Sequence, residues 1–190
     1  HTQRRRQRQM CIRDSGLIKD AAARANLRLK LLPANKARAI SRAAKEVWKE
    51  KHHDQFPIDV FQTGSGTSSN MNANEVIANL ASKNSKLNIG PNDDVNMSQS
   101  SNDVIPTAIK ISAHIDLTKK LYPALDKLIN EIQTKAKSLK GVTKTGRTHL
   151  MDAMPIDFSD ELLAWSSQLS ACRNMLEAVS YTHLRAHETV

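Results

Sequence analysis

The stretch Gly90-Pro-Asn-Asp-Asp-Val-Asn-Met-Ser-Gln-Ser-Ser-Asn-Asp103 places hydroxyl and amide side chains directly before a long apolar-periodic segment. That segment predicts a helix, with Pro106 tolerated in its first turn, from the near-helical spacing of Val104, Ile105, Ala108, Ile111, Ile115, Leu117 and Leu121. Backbone N–H groups at a helix start have no partner within the helix, and neighbouring hydroxyls and amides add further donors. The sequence therefore predicts an anion-binding site at this helix start.

Helical patterns also lie on both sides of this stretch. Apolar residues recur mostly three and four positions apart in segments 16–32, 35–48, 76–82, 121–139 and 156–179. Aromatic residues make up only 4% of the chain and glycines number six, which also favours helices over sheet. We predict a mostly α protein, with a small N-terminal helical domain over 16–103 and part of a long helical bundle over 104–179.

Both ends of the chain break this pattern. Residues 1–15 carry five arginines against a single acid, Asp14, and so contribute nearly half of the formal charge of +9. Residues 180–190 also depart from the helical pattern before them. We predict that 1–15 and 180–190 are disordered or non-native tails and exclude both from the fold. A nucleic-acid-binding arm is the alternative for the basic start.

Several classes of protein are disfavoured by the rest of the sequence. Cys11 and Cys172 show neither metal-ligand spacing nor a disulfide framework, which favours a reducing, cytoplasmic compartment. No apolar run reaches the roughly 18 to 20 residues that span a bilayer. His52 and His53 have no third ligand in view, so we interpret them as complements to a helix C-terminal dipole rather than metal ligands. We expect no metal, no membrane and no nucleic-acid partner.

Two further polar loops interrupt the helical segments. The first is Thr63-Gly-Ser-Gly-Thr-Ser-Ser-Asn-Met-Asn-Ala-Asn-Glu75, and the second is Gly146-Arg-Thr-His-Leu-Met-Asp-Ala-Met-Pro155. Glycines in the first loop permit backbone conformations in which Ser65 and Thr67 turn their hydroxyls toward one point. A flexible linker is the alternative, but the helical spacing that follows at once argues against it. The amides of Asn70, Asn72 and Asn74 predict packing against polar elements or a ligand.

Together, the three polar loops closely resemble the motifs of the fumarase/aspartase superfamily, and within it those of the metal-independent fumarate hydratases. The resemblance covers roughly Gly16–Val179, and three long motifs in the right order are more specific than one short pattern. It implies a mostly helical subunit whose long helices assemble into a homotetramer, with each active site built from loops of three subunits. It also implies reversible addition of water to fumarate to give L-malate, without metal or organic cofactor.

The resemblance also implies roles for individual residues. Substrate carboxylates would be held by Ser65, Thr67, Ser100, Ser101 and Asn102, and a neighbouring subunit would contribute Thr148 and the catalytic His149. A dianionic substrate needs several donors, and proton removal beside a carboxylate adds negative charge in the transition state. A histidine side chain can exchange a proton near neutral pH, although a loop histidine taken alone is more often a surface residue.

Some positions separate this chain from its relatives. Aspartases typically show Ala where this chain has Ser65 and Thr where it has Ser101, which favours fumarate hydratase and leaves an aspartate ammonia-lyase as the nearest alternative. Many fumarases also carry a second carboxylate site, for which Asn92 and Asp93 remain here. Gly90 and Leu87 stand where those relatives have His and Arg, so we expect this second site to be weakened or absent.

The C-terminal part of the family pattern is missing. Relatives have a mobile loop of the form Gly-Ser-Ser-x-Met-Pro-x-Lys-x-Asn that supplies the proton-abstracting serine, and no such segment occurs in these 190 residues. We therefore expect an incomplete site and no fumarase activity from this chain alone.

Two functions of other classes stay open beside the enzyme. A basic helical nucleic-acid-binding module predicts affinity that falls steeply with salt. A helical scaffold would use exposed bundle faces to bind partners. Deleting residues 1–15 tests the first, since binding that disappears with them belongs to the tail.

Overall fold

The computed structural model describes residues 2–58, 61–62 and 64–180, with side chains described from Ile12 onward. Its described part contains six α-helices and one two-stranded sheet, which confirms the predicted mostly α class. Of these helices, none is both long enough and apolar enough to cross a membrane. Two compact units divide the described residues after Ala113, one holding residues 2–58, 61–62 and 64–113 and the other residues 114–180. The predicted boundary lay between residues 103 and 104.

The first unit is built from four helices. They are α1 (Thr2–Arg28), α2 (Ala34–Trp48), α3 (Thr67–Ser85) and α4 (Ser101–Asp116), the last of which continues past Ala113. A short 3-10 turn, His53–Gln55, follows α2, and a π-helical turn, Pro91–Val95, precedes α4. Helix α3 begins within the first polar loop rather than after it, because Gly66 adopts the left-handed conformation that starts the helix there.

The N-terminal stretch differs from its prediction as a disordered tail. Helix α1 begins at Thr2 and continues through residue 15, and the side chains of Asp14 and Ser15 are buried. Arg13 donates to Asp14 through hydrogen bonds of 2.8 and 2.9 Å, which satisfy the buried carboxylate. Apolar periodicity does not reveal a polar pair of this kind. The non-native origin of 1–15 stays a prediction, and residues 181–190 of the other tail lie outside the described residues.

Small residues form much of the core of the first unit. Ala37, Ile40 and Ala44 on α2 are almost fully buried, as are Ala73 and Ile77 on α3. A side chain at Gly16 would come within 2.7 Å of the Ala44 carbonyl oxygen, so the missing Cβ lets α1 approach α2 closely. This packing holds α1, α2 and α3 together.

The second unit is a helix pair with a β-hairpin between its members. Helices α5 (Tyr122–Ser138) and α6 (Phe158–Ser180) flank the antiparallel strands β1 (Thr143–Thr148) and β2 (Met151–Asp157), and a π-helical turn, Leu117–Leu121, precedes α5. The helices are joined by a 3.0 Å hydrogen bond from Gln133 to Ser166 and a 2.7 Å ion pair between Arg173 and Asp126. The segment 146–155, predicted from sequence to be a polar loop, therefore lies within a hairpin.

Candidate active site

The starts of helices α3 and α4 meet in the first unit. Gly66, just before α3, has a φ of 65°, and a Cβ there would come within 3.0 Å of the Ile105 side chain in the first turn of α4. A larger residue would be strained by the backbone and would press on Ile105. The absence of a side chain at Gly66 therefore lets two helix N-termini, each with partial positive charge, lie side by side.

Two predicted hydroxyls lie at the start of α3. Ser65 Oγ and Thr67 Oγ1 are 2.8 Å apart, and both residues are exposed. The first N–H groups of a helix have no intrahelical acceptor, and here the Ser69 N–H is bound by the Gln62 side-chain oxygen at 3.1 Å. The structure thus brings the Ser65 and Thr67 hydroxyls together, and it places them at a helix start where the sequence pattern predicted a loop.

Three predicted residues form the start of α4. Ser100 acts as the N-cap, since its Oγ accepts the Asn102 N–H at 3.2 Å and its carbonyl accepts the Val104 N–H at 3.0 Å. Ser100 and Asn102 are exposed, and Ser101 is half-buried between them. Hydroxyl and amide groups are therefore held on the solvent side of this helix start.

A hydrogen bond ties the two helix starts together. Asn70 Nδ2 of α3 donates to Ser101 Oγ at 3.1 Å and to Asn96 Oδ1 at 3.2 Å. Asn72 donates to the Gln55 carbonyl at 3.1 Å, so both amides find protein partners, as their number in the sequence predicted. The Asn70 contact thus fixes the first residue of α4 against α3.

A buried amine that the sequence pattern does not reveal is linked to these residues. Lys19 of α1 has no exposed surface, and its Nζ donates to Asn96 Oδ1 at 3.0 Å. Burial lowers the pKa of the Lys19 amine from 10.5 to about 7. Lys19 lies among Ile18, Ala21 and Ala25 in a segment interpreted only as an apolar helix. No signal in a single sequence separates this lysine from a solvated one.

Residues of the expected second carboxylate site lie in the π-helical turn before α4. Asn92 and Asp93 are exposed, while the following Asp94 is buried and pairs with Lys36 Nζ at 2.7 Å. Asp94 Oδ2 also accepts the Gly90 N–H at 2.8 Å. Leu87 packs against the core of the first unit. The buried acid of this turn thus holds the loop together.

The remaining predicted residues belong to the second unit. Thr148 ends β1, and His149 and Leu150 form the two-residue turn of the hairpin with φ values of 51° and 61°. Two left-handed residues in succession are the geometry of a type I′ hairpin turn, which normally favours Asn and Gly. Both Thr148 and His149 are exposed. The hairpin therefore presents His149 at its tip.

Other features of the described residues lie apart from these groups. A cleft of about 610 Å³ on the first unit is lined by His52, Gln55, Asn72, Glu75 and Lys83 among others, and by none of the predicted site residues. Within the described ranges no group of three or more His, Cys, Asp or Glu residues could hold a metal ion. His52 instead contacts Glu46 at 3.0 Å, next to the end of α2.

Comparison with known proteins identifies a family for this arrangement. A family described as lyase matches residues 1–187. The class II fumarate hydratase of Xylella fastidiosa strain Temecula1 is 55% identical over 154 residues, which cover 81% of this chain and 33% of that protein. The class II fumarate hydratase of Thermus aquaticus is 51% identical over 173 residues, covering 88% of this chain and 36% of that protein.

A solved structure of a class II fumarase is also similar to this chain. The crystal structure of class II fumarase from Schistosoma mansoni is similar with a TM-score of 0.86 and 36% identity, over 90% of this chain and 37% of that one. The chain therefore spans about a third of the length of the curated relatives it matches.

Proposed function

The chain belongs to this lyase family, and we propose that it forms part of a fumarate hydratase, which adds water reversibly to fumarate to give L-malate. One observation carries the proposal: the starts of α3 and α4 lie against each other at Gly66 and Ile105, and both carry exposed hydroxyls. Two adjoining helix N-termini with hydroxyl donors suit a small dianion.

Substrate binding is assigned to the residues at these two helix starts. Ser65, Thr67, Ser100, Ser101 and Asn102 donate hydrogen bonds to the carboxylates of fumarate or L-malate. In the reverse direction a proton leaves the carbon beside one carboxylate, whose negative charge increases in the transition state. Donors fixed in advance by helix structure stabilise that charge without reorganising as it develops. No metal or organic cofactor is needed for this stabilisation.

His149 and Thr148 are assigned to the same reaction from a neighbouring subunit. His149 handles the proton of the water that adds to the double bond or leaves it. A homotetramer would supply these residues, and the second unit has the apolar surface such an assembly buries. Trp165, Met175 and Val179 of α6 are 50%, 69% and 65% exposed.

The second carboxylate site is proposed to be weakened or absent. Asn92 and Asp93 alone remain to bind a carboxylate, and Leu87 is turned toward the core where relatives have an arginine. Gly90 offers no side chain. Asp94, the buried acid of the turn, is engaged with Lys36 and the Gly90 N–H and contributes no donor to such a site.

A cytoplasmic location accompanies this function in our proposal. Dicarboxylate substrates are soluble, and neither a membrane nor a nucleic acid is assigned as a partner. The nearest alternative activity is ammonia release from aspartate, for which no contact described above gives specific support.

The decisive experiment compares this chain with a complete protein that contains it and the family's C-terminal regions. Loss of fumarate absorbance should be seen with the complete protein and not with the 190 residues alone, because the loop carrying the proton-abstracting serine is missing from them. Ser101→Ala should reduce the rate, with Asn79→Ala on the exposed face of α3 as the matched control. Ammonia release from aspartate in place of fumarate hydration would overturn the assignment.

A further inference from the structure

The chain of polar contacts beneath the candidate site begins at a buried lysine on another helix. Lys19 of α1 donates to Asn96, Asn96 accepts from Asn70, and Asn70 donates to Ser101 over distances of 3.0, 3.2 and 3.1 Å. Asn70 is almost fully buried, and Lys19 is completely so. A continuous path of hydrogen bonds therefore connects the interior of the first unit with a proposed substrate-binding hydroxyl.

We propose that Lys19 is a positioning residue, which sets the direction of these hydrogen bonds so that Ser101 presents its hydroxyl proton to a substrate carboxylate. This inference rests on the proposed function, since it assigns Ser101 its acceptor. Lys19 itself does not touch substrate.

The direction of these hydrogen bonds follows from which side-chain groups can donate and which can only accept. The protonated Lys19 side chain has three donors and no acceptor, so the Asn96 side chain turns its oxygen toward it, while the Asn96 NH₂ group donates to the Gln99 carbonyl at 3.2 Å. The same oxygen accepts from Asn70. Asn70 must then face Asn96 with its NH₂ group, because the opposite orientation would set two amide oxygens against each other.

The second hydrogen of that NH₂ group reaches Ser101. Asn70 Nδ2 lies 3.1 Å from Ser101 Oγ, so Ser101 accepts a hydrogen bond from the protein. A hydroxyl that accepts in this way keeps its own proton for another acceptor. The proton is consequently available to a carboxylate bound at the start of α4.

The orientation of Asn70 is maintained at a cost. Asn70 Oδ1 is buried and has no hydrogen-bond partner among the described residues. An orphan buried acceptor is unfavourable by about 1–3 kcal/mol. Turning the amide over would leave its NH₂ group without a partner at the same place and would set Asn70 Oδ1 against Asn96 Oδ1, so the Lys19–Asn96 contact favours the orientation seen.

A second hydrogen bond between α1 and the loop that contains Asn96 supplies a matched control. Asn26 Nδ2 donates to the Met97 carbonyl at 2.9 Å, and Asn26 is also buried. That contact anchors the backbone of the loop but cannot turn the Asn96 side chain. Lys19→Met removes the direction-setting donor with little change in volume, whereas Asn26→Leu removes only the anchor.

Kinetics of the complete enzyme test the proposal. Lys19→Met should lower kcat/KM for fumarate about tenfold, as expected when a hydrogen bond to a charged group is lost. In a Ser101→Ala background the same substitution should change kcat/KM less than about twofold, because the two residues act through one bond. Lys19→Gln, which keeps a donor, should restore part of the loss.

Two results would contradict the positioning role. In the first, Lys19→Met lowers kcat/KM by the same factor in the wild-type and Ser101→Ala backgrounds. In the second, Asn26→Leu lowers kcat/KM as much as Lys19→Met does, and by the same factor in both backgrounds. Either would reduce Lys19 to a structural support of the loop.

A measurement that needs no activity separates this inference from the proposed function. Side-chain amide NMR signals of Asn70 and Asn96 should shift or broaden in Lys19→Met and stay in place in Asn26→Leu. Unchanged signals in Lys19→Met would overturn the inference even in an active enzyme. If the wild-type protein fails to hydrate fumarate, the proposed function fails, and the amide signals still decide whether Lys19 sets the hydrogen-bond direction.

Discussion

The side-chain amide of Asn70 in α3 donates a 3.1 Å hydrogen bond to the hydroxyl oxygen of Ser101, the first residue of α4. These residues belong to two different polar loops of the sequence, and their contact joins α3 to the start of α4.

Replacing Asn70 tests this contact. Asn70→Ala should lower the free energy of unfolding by about 1–3 kcal/mol, because it removes two hydrogen bonds and leaves a small void in a buried position. Asn79→Ala, on the exposed surface of the same helix, should change it by less than about 0.5 kcal/mol. Urea unfolding of the chain measures both variants. Equal free energies of unfolding for Asn70→Ala and Asn79→Ala would mean that the buried amide contributes nothing beyond helix propensity.

Lys19 gives the stability of the first unit a dependence on pH. Burial lowers the pKa of its amine from 10.5 to about 7, so between these values the unfolded chain binds more protons than the folded one. Stability should therefore rise with pH across this window, by up to about 1.4 kcal/mol per pH unit from this group alone. Below pH 7 the full cost of burying the charge is present.

This slope is checked by measuring the free energy of unfolding at about every pH unit from pH 6 to 10. Lys19→Met should flatten the curve, since no buried amine remains to titrate. Lys83→Met replaces an exposed lysine of α3 and should leave the slope as in the wild type. A slope that survives Lys19→Met must come from another group.

Asp93 and Asp94 are neighbours with opposite roles. Asp94→Ala should destabilise the first unit by about 1–3 kcal/mol, because it removes the acceptor of the Gly90 N–H and the partner of Lys36. Asp93→Ala, at an exposed position, should have an effect within about 0.5 kcal/mol. Thermal unfolding compares the pair. A larger effect at Asp93 would show that the turn is held differently.

The tip of the hairpin is strained in a way that a glycine can relieve. Leu150 has a φ of 61° and is fully exposed, so Leu150→Gly removes an unfavourable backbone conformation and loses no packing. We expect a gain of about 0.5–1 kcal/mol in the second unit. Met151→Gly, within β2, should instead be destabilising. Hydrogen exchange of the β1 and β2 amides reports both changes, and slower exchange in Met151→Gly would contradict this account of the turn.

Much of this arrangement is predictable from the sequence because it depends on local patterns. Apolar spacing predicts α2, α5 and α6 to within a few residues, since each helix buries one face. The hydroxyl of Ser100 can be placed near a helix start because capping chemistry precedes the apolar spacing there, whereas Ser65 was expected in a loop because the apolar spacing that follows it begins only near Val76.

Features that depend on contacts distant in sequence could not be predicted. Lys19 and Asn96 are brought together only by the packing of α1 beneath the loop before α4. The hairpin was missed because His149 and Leu150 lack the Asn-Gly signature of its turn type, and Gly146 and Pro155 suggested a loop. The sequence pattern predicts the start of α1 too late, because the residues buried near residue 15 are polar and Asp14 is satisfied by Arg13.

The structure changes how the basic N-terminus should be tested. Removing residues 1–15 would take away the buried Asp14 and Ser15, so loss of nucleic-acid binding after that deletion could reflect loss of folding. Removing residues 1–11 deletes Arg4, Arg5, Arg6 and Arg8 but retains the Arg13–Asp14 pair. The shorter deletion should preserve the unfolding transition and abolish any salt-dependent binding to DNA, because nonspecific binding depends on released counterions. Binding that persists with the same salt dependence would place the contact on the folded part of the chain and favour a nucleic-acid role over the enzyme.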